Sequence, residues 1–319
     1  MPSSKDKGST VEKYTFSFSS MGCPCSIQLY AASKDQALQA KEEAITRINQ
    51  LDSYYTNYSP DSFTAAINKS AGQIKGTKVD PETKGLLDYA QNCYDQSGGL
   101  FDITAGTLRA AWDYQSTTPS IPSKKHLKSL LERVGWGKVT WQNSTLILPI
   151  EGMNIDFGGV VKEYAADTAS TILQNNGIHH GLVDLGGDIA VIGPHPDGSP
   201  WTIGVRHPSQ PETDIAIIRL IKGGLASSGN YERYFEINDV RYGHILNPKT
   251  GWPVQGVSAV SVVAPQCLVA GSLATVSMLH EGEDILKGAD IPYLLLDSNT
   301  KTIGHKDFHL TSTSQKEVA

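Results

Sequence analysis

Three stretches of this chain combine residue types and spacing that can do chemistry. Asp156-Phe157-Gly158-Gly159-Val160-Val161-Lys162 reads as a strand running into a helix. Bare backbone N–H groups at such a helix start can face an anion, with Lys162 one turn in. A tight strand-to-helix turn carrying a solvated lysine has the same pattern. Gly181-Leu182-Val183-Asp184-Leu185-Gly186-Gly187-Asp188-Ile189 sets two carboxylates beside a glycine pair, and glycine inside a β-run marks a bulge or the close approach of another group. Asp184 and Asp188 can cap that bulge, bind a sugar hydroxyl or hold a metal. His244 ends a strand just before Asn247-Pro248, where a side chain can face a cleft, and an ordinary pKa of ~6.5 suits a general acid or base. A structural histidine fits the same position, and the nearby Glu232 and Arg233 read equally well as a cross-strand charge pair on the surface.

Signatures of the common nucleotide enzymes are absent. Gly137-Lys138 lacks the earlier glycine of a P-loop, Gly256-Val257-Ser258-Ala259-Val260 lacks the last glycine of a nucleophile elbow, and no G-x-G-x-x-G opens a helix. His280-Glu281-Gly282-Glu283-Asp284 is not a zincin motif. What distinguishes the 319 residues is 30 glycines, roughly 9% against a usual ~7%. They include the pairs Gly98-Gly99, Gly158-Gly159, Gly186-Gly187 and Gly223-Gly224. The net charge of −6 comes without a long basic run, which argues against a nucleic-acid partner. No stretch reaches the ~18 apolar residues of a membrane span, and the opening ten residues lack the apolar centre of a signal peptide. Cys23 and Cys25 stand too close for the zinc-type spacing, and Cys93 and Cys267 fall in helical stretches where small thiols pack.

The elements that must position these residues follow from periodicity. Tyr14 to Ser19 and Ser26 to Tyr30 alternate as strands, while Lys34 to Tyr55, Pro81 to Gln96, Ser123 to Val134, Val160 to Leu173 and Leu268 to His280 carry helical patterns. Short strands are expected at Lys138 to Trp141, Thr145 to Leu148, Gly181 to Val183, Ile189 to Ile192, Trp201 to Val205, Ile215 to Ile221, Arg233 to Ile237, Arg241 to His244, Val257 to Val263 and Tyr293 to Leu296. The expected fold class is α+β, with mainly antiparallel β-sheets and segregated helices in a two-lobed single unit. Residues 13–306 form the folded domain, between tails at 1–12 and 307–319.

In this order the motifs resemble the ApbE family, the FAD:protein FMN transferases formerly called thiamine biosynthesis lipoproteins. The resemblance rests on Met21-Gly22; Tyr58-Ser59-Pro60-Asp61-Ser62 with Asn68; and Gly99 to Leu108 with Trp112. It continues through Asp156 to Lys162 with Tyr164-Ala165-Ala166-Asp167, Leu185 to Ile189, Ser228 to Tyr234, and His244 to Gly251. The family binds FAD, splits its pyrophosphate with Mg²⁺, places FMN on a Thr or Ser hydroxyl of an acceptor flavoprotein and releases AMP. The resemblance implies that Met21, Tyr58, Gly99, Leu100, Phe101, Asp156, Lys162 and the backbone at Ile245 touch the flavin nucleotide, and that His244 accepts the proton or holds the acceptor hydroxyl. It implies metal ligands at the Gly159 carbonyl and Thr275. It also implies a periplasmic or envelope location, since acceptors in the family are exported redox proteins; the chain itself shows no signal peptide.

Three positions depart from the family pattern. Gly271 stands where a metal-binding Asp is expected four residues before Thr275, Glu163 where relatives have glycine, and Cys23 where they have threonine. A missing carboxylate implies a weak Mg²⁺ site, so Gly271→Asp is expected to raise metal affinity. It also brings an alternative to the transferase, a carrier or chaperone that holds FAD without turning it over; a further alternative, with water in place of the acceptor hydroxyl, is an FAD pyrophosphatase that gives FMN and AMP.

Overall fold

A computed structural model of the chain describes residues 11–114 and 116–311. The first two alternating runs pair as a hairpin, β1 (Glu12–Ser20) and β2 (Cys23–Ala31). They are joined by Met21 and Gly22, both at positive φ, the backbone that matches the twist of two-residue hairpin turns. α1 (Lys34–Tyr55) starts at Ser33, whose hydroxyl accepts from the Gln36 N–H, and it buries Ala37, Ala40, Ala44, Ile48, Leu51 and Tyr55 along one face. α2 (Phe63–Lys69), β3 (Thr77–Lys78), α3 (Pro81–Gln96) and a 3-10 helix over Ile103–Ala110 follow. α3 is capped by Asp80 with proline in its first turn. Then come α4 (Lys124–Leu131), the small strands β4 (Thr140–Gln142) and β5 (Thr145–Ile147), and α5 (Val161–Asn175).

Most of the remainder is strand. β6 (Gly181–Leu185), β7 (Asp188–Gly193), β8 (Trp201–His207), β9 (Gln210–Leu220), β10 (Gly223–Gly229), β11 (Tyr234–Ile237), β12 (Val240–Gly243) and β13 (Val257–Ala264) precede α6 (Cys267–His280) and α7 (Asp284–Ala289). β14 (Tyr293–Asp297), β15 (Thr302–Lys306) and β16 (His309–Leu310) end the fold. The main sheet has eight strands in the order β1-β2-β6-β7-β10-β13-β14-β15, and every neighbouring pair is antiparallel. The α+β class with antiparallel sheets and gathered helices is the one expected.

Each face of the main sheet is covered by a different layer. Ile27, Leu29, Val183, Ala190, Ala226, Val260 and Val262 pack with alanines of α1, α5 and α6 in one continuous core, which also takes in Leu86 and Leu87 of α3. Leu182, Val191, Leu225, Ala259 and Val263 point the other way, onto Trp201, Ile203, Ile215 and Ile218 of the β8–β9 hairpin. Successive strand residues face opposite sides, so a sheet covered on both faces needs apolar residues at nearly every position. β13 is accordingly buried along its whole length.

α2, β3, the 3-10 helix, α7 and β15 add to the expected elements, and two further departures bear on packing and on the domain bounds. β10 lies in the middle of the main sheet, yet its sequence Gly-Gly-Leu-Ala-Ser-Ser-Gly reads as a polar stretch. A Cβ added at Gly224 would come 2.3 Å from the Cys267 nitrogen, so α6 sits on this strand only because the strand is small. β16 pairs with β9, so the folded unit continues past the expected boundary at 306, and β1 begins at Glu12. The expected tails over 1–10 and 312–319 lie outside the described residues.

α6 has no capping side chain of its own. Asp167 of α5 supplies the cap, accepting from the Cys267 and Leu268 N–H groups at 2.9 Å each and locking the two helices together. Asp167→Ala is expected to lower stability by about 1–2 kcal/mol, as loss of an N-cap does, read as a lower urea midpoint at unchanged slope.

Candidate active site

A cleft of about 2320 Å³ opens where the turns of the main sheet meet the start of α5 and the segment that follows β12. It is more than twice the ~1,000 Å³ that encloses a drug-sized ligand, so it has room for a dinucleotide and part of a second molecule. Among its lining residues are Met21, Tyr58, Leu100, Phe101, Asp156, Gly159, Lys162, His244, Ile245 and Thr275. Only Gly99 of the sequence-derived set does not line it. With φ at +82° and Tyr94 carbons 3.3 Å from where a Cβ would stand, Gly99 shapes the turn that delivers Leu100 and Phe101.

At one end, Tyr58 projects 65% exposed. Its hydroxyl accepts from Arg109 Nη1 and from Arg233 Nη1, both at 3.0 Å. Arg109 also reaches Asp156 Oδ2 at 2.6 Å through Nη2, while Asp156 Oδ1 takes the Gly158 N–H at 2.8 Å. Arg233 is therefore part of the cleft and not a surface decoration. Above it, Met21 holds φ at +53°, uncommon for a side chain of that size. Asp52 Oδ2 fixes that turn by accepting the Met21 N–H at 2.7 Å.

The start of α5 forms the floor. No side chain caps it, and the Phe101 ring lies over Gly159, 3.4 Å from the position of a Cβ there. Lys162 Nζ pairs with Asp188 Oδ2 at 2.7 Å, and that carboxylate is almost fully buried. Burial works against the charge on Lys162, but the carboxylates of Asp188, Glu163 and Glu232 outweigh it and raise its pKa. Of the two carboxylates at the glycine pair, Asp184 caps the β6–β7 turn by taking the Gly187 N–H at 2.8 Å, and Asp188 faces the cleft. Glu163 beside Lys162 is buried. Burial first, then the Asp188 charge, pushes its pKa up to about 8, and its Oε2 has no hydrogen-bond partner. Across from it, the hydroxyls of Ser228 and Thr275 meet at 2.9 Å.

His244 follows the last residue of β12 and opens onto the same cleft. Burial, helped by the Arg233 charge, brings its pKa down to about 4, and its Nδ1 is buried without a partner. A neutral imidazole with a free ring nitrogen is a proton acceptor. Sequence reasoning missed Arg109 and Asp52. Arg109 directly follows the Gly99–Leu108 motif, which could have flagged it; Asp52 reads as one more solvated carboxylate on an amphipathic helix.

Fold and cleft define an α+β protein in which cations, an uncapped helix start and a neutral histidine border one large cleft. The model of the ApbE family matches residues 21–293, and the chain belongs to that family. An FAD:protein FMN transferase of Chlamydia pneumoniae is 32% identical over 259 residues, 77% of this chain and 80% of that protein. One from Treponema pallidum is 29% identical over 283 residues, covering 83% and 78%. Among solved structures, the ApbE protein of Thermotoga maritima superposes with a TM-score of 0.82 at 26% identity, over 96% of this chain and 99% of that one. A mutant of the flavin transferase ApbE of Vibrio cholerae gives 0.79 at 26% identity, over 97% and 100%.

Tyr58→Phe removes the acceptor that both guanidinium groups share. Because the ring is exposed, stability is expected to change by less than about 0.5 kcal/mol. Affinity for FAD, read by quenching of flavin fluorescence, is expected to drop several-fold as Arg109 and Arg233 lose their common anchor.

Proposed function

We propose that this chain is an FAD:protein FMN transferase, which attaches the FMN half of FAD to a Thr or Ser hydroxyl of an acceptor protein and releases AMP. The reading is carried by one coincidence: an uncapped helix start, Lys162 and a neutral His244 all border a single cleft. The N–H groups at the start of α5 and the Lys162 ammonium bind the pyrophosphate. Phe101, Leu100 and Met21 offer the apolar surface an isoalloxazine needs, with Tyr58, Asp156 and the Ile245 backbone bordering the nucleotide. His244 takes the proton of the acceptor hydroxyl as that oxygen bonds to the flavin-side phosphorus and the bond to the AMP phosphate breaks. The volume beyond the nucleotide admits an acceptor segment.

The residues present suit a hard cation. Glu163, with an unpartnered buried carboxylate oxygen, lines the same cleft as the paired hydroxyls of Thr275 and Ser228, and Mg²⁺ prefers such oxygens together with substrate phosphates. Thr275 and the Gly159 carbonyl would hold it, and such an ion would supply positive charge against the negative charge developing on the phosphoryl oxygens. Among the described residues no helix is long and apolar enough to cross a membrane. The acceptor is an exported redox protein with a Ser/Thr motif, and the transferase works beside it in the envelope.

The test is mass spectrometry of the protein incubated with FAD, Mg²⁺ and an acceptor flavoprotein. The expected products are an acceptor heavier by one FMN and free AMP; FMN released into solution without acceptor, or bound FAD that is never split, overturns the reading. His244→Ala is expected to slow transfer by about 10²–10⁴-fold, the usual weight of a general base. Since His244 titrates near 4, its ring is neutral at every pH above that value and charged only below it. Rates should therefore hold from neutral pH down to about 5 and fall only on further acidification, where an ordinary histidine would already lose activity below ~6.5.

A further inference from the structure

Glu163 and Gly271 face each other across the α5–α6 contact. A Cβ built on Gly271 would lie 2.6 Å from both Cγ and Oε1 of Glu163 and 2.8 Å from its Cδ. The glutamate therefore fills the volume that any side chain at 271 would occupy. It is 6% exposed, and Oε2 has no hydrogen-bond partner, a costly state for a carboxylate. The neighbouring cation, the half-buried Lys162, is already engaged by Asp188 at 2.7 Å. Two carboxyl groups thus share one ammonium, and the Glu163 oxygen left without a partner is a place that a further cation would satisfy. Thr275, one turn along α6 from Gly271, lines the same cleft as Glu163, with the Ser228 hydroxyl against it.

We propose that Glu163 is the carboxylate ligand of a divalent cation in this chain, reaching from α5 into the space that Gly271 leaves open on α6, beside Thr275. The carboxylate expected at 271 has not been lost; one helix supplies it in place of the other, and the glycine is the vacancy that admits it. Among the described residues no group of three His, Cys, Asp or Glu side chains could hold a metal. The protein's own ligands are thus few, and the ion completes its shell with phosphate oxygens, as Mg²⁺ commonly does. Gly271→Asp alone, expected from the sequence to strengthen the site, instead drives a side chain into Glu163.

This inference rests on the transferase reading, but its test needs no turnover. Mn²⁺ binding is measured by electron paramagnetic resonance, with and without inorganic pyrophosphate, for the full chain and three variants whose folding is checked by circular dichroism. The chain itself should bind Mn²⁺, more tightly with pyrophosphate. Glu163→Gln, which keeps the packing, should weaken binding at least about tenfold, since loss of even an outer-shell partner costs ~10–100-fold. Gly271→Asp should not strengthen binding and should lower the melting temperature. Glu163→Gly combined with Gly271→Asp should restore binding to within a few-fold of the original. Mn²⁺ affinity unchanged in Glu163→Gln, or no Mn²⁺ binding by the chain with pyrophosphate present, overturns the proposal. Metal-free FAD affinity in the same variants reports separately on the nucleotide site: its absence in the unaltered chain counts against the transferase, not against Glu163.

Discussion

The Lys162–Asp188 ion pair sets the terms for the cleft. It joins the first turn of α5 to the first residue of β7, with the carboxylate almost wholly out of water. Desolvating two charges is repaid only by good geometry and further partners. Part of that repayment comes from the Ser227 N–H, 3.3 Å from Asp188 Oδ1, which ties central strand β10 to the pair. The lysine thus stays cationic at the start of an uncapped helix, so that an ammonium and helix-end N–H groups, both suited to an anion, stand together. Removing either partner would leave a buried charge alone, so β7, β10 and α5 are bound to one arrangement.

The opposite wall uses weaker, more exposed interactions, and that difference has a function. Tyr58 and Arg233 are 175 residues apart in sequence yet share a hydrogen bond at 3.0 Å, so the rim is built from segments brought together from distant parts of the chain. Exposed contacts of this sort contribute little to stability and can rearrange as ligand enters. A buried floor and an adjustable rim are what a site needs when it must first take up a nucleotide and then admit a second macromolecule.

Legibility in the sequence followed how local the physics was. α1 and α3 have the bounds expected from their patterns because periodicity and a cap, Ser33 or Asp80, both lie within the segment. β10 escaped notice because its composition answers to α6 above it and not to strand propensity. β16 is two residues long and exists only through its pairing with β9. Nearly all the sequence-derived site residues do border one cleft, since motifs at strand ends and helix starts are local too. His244 was recognisable as a candidate base. Its depressed pKa was not, because burial and the charge of Arg233 are properties of the assembled site.

Glycine illustrates the limit most sharply. The pairs at 158–159 and 186–187 border the cleft as backbone that a ligand can approach, as their spacing suggests. Gly224 serves helix packing instead, and Gly99 serves a turn. Gly271 looks in sequence like a deleted ligand, because a linear reading compares each position only with its own expected residue. In space, the neighbour that matters is Glu163, 108 positions earlier, whose carboxylate lies where a side chain at 271 would begin. Close packing makes such positions exclusive: a carboxylate on both helices would collide, and one on neither would leave a void beside buried charge. Glu163 and Gly271, which read in sequence as two unrelated positions, are therefore one steric unit.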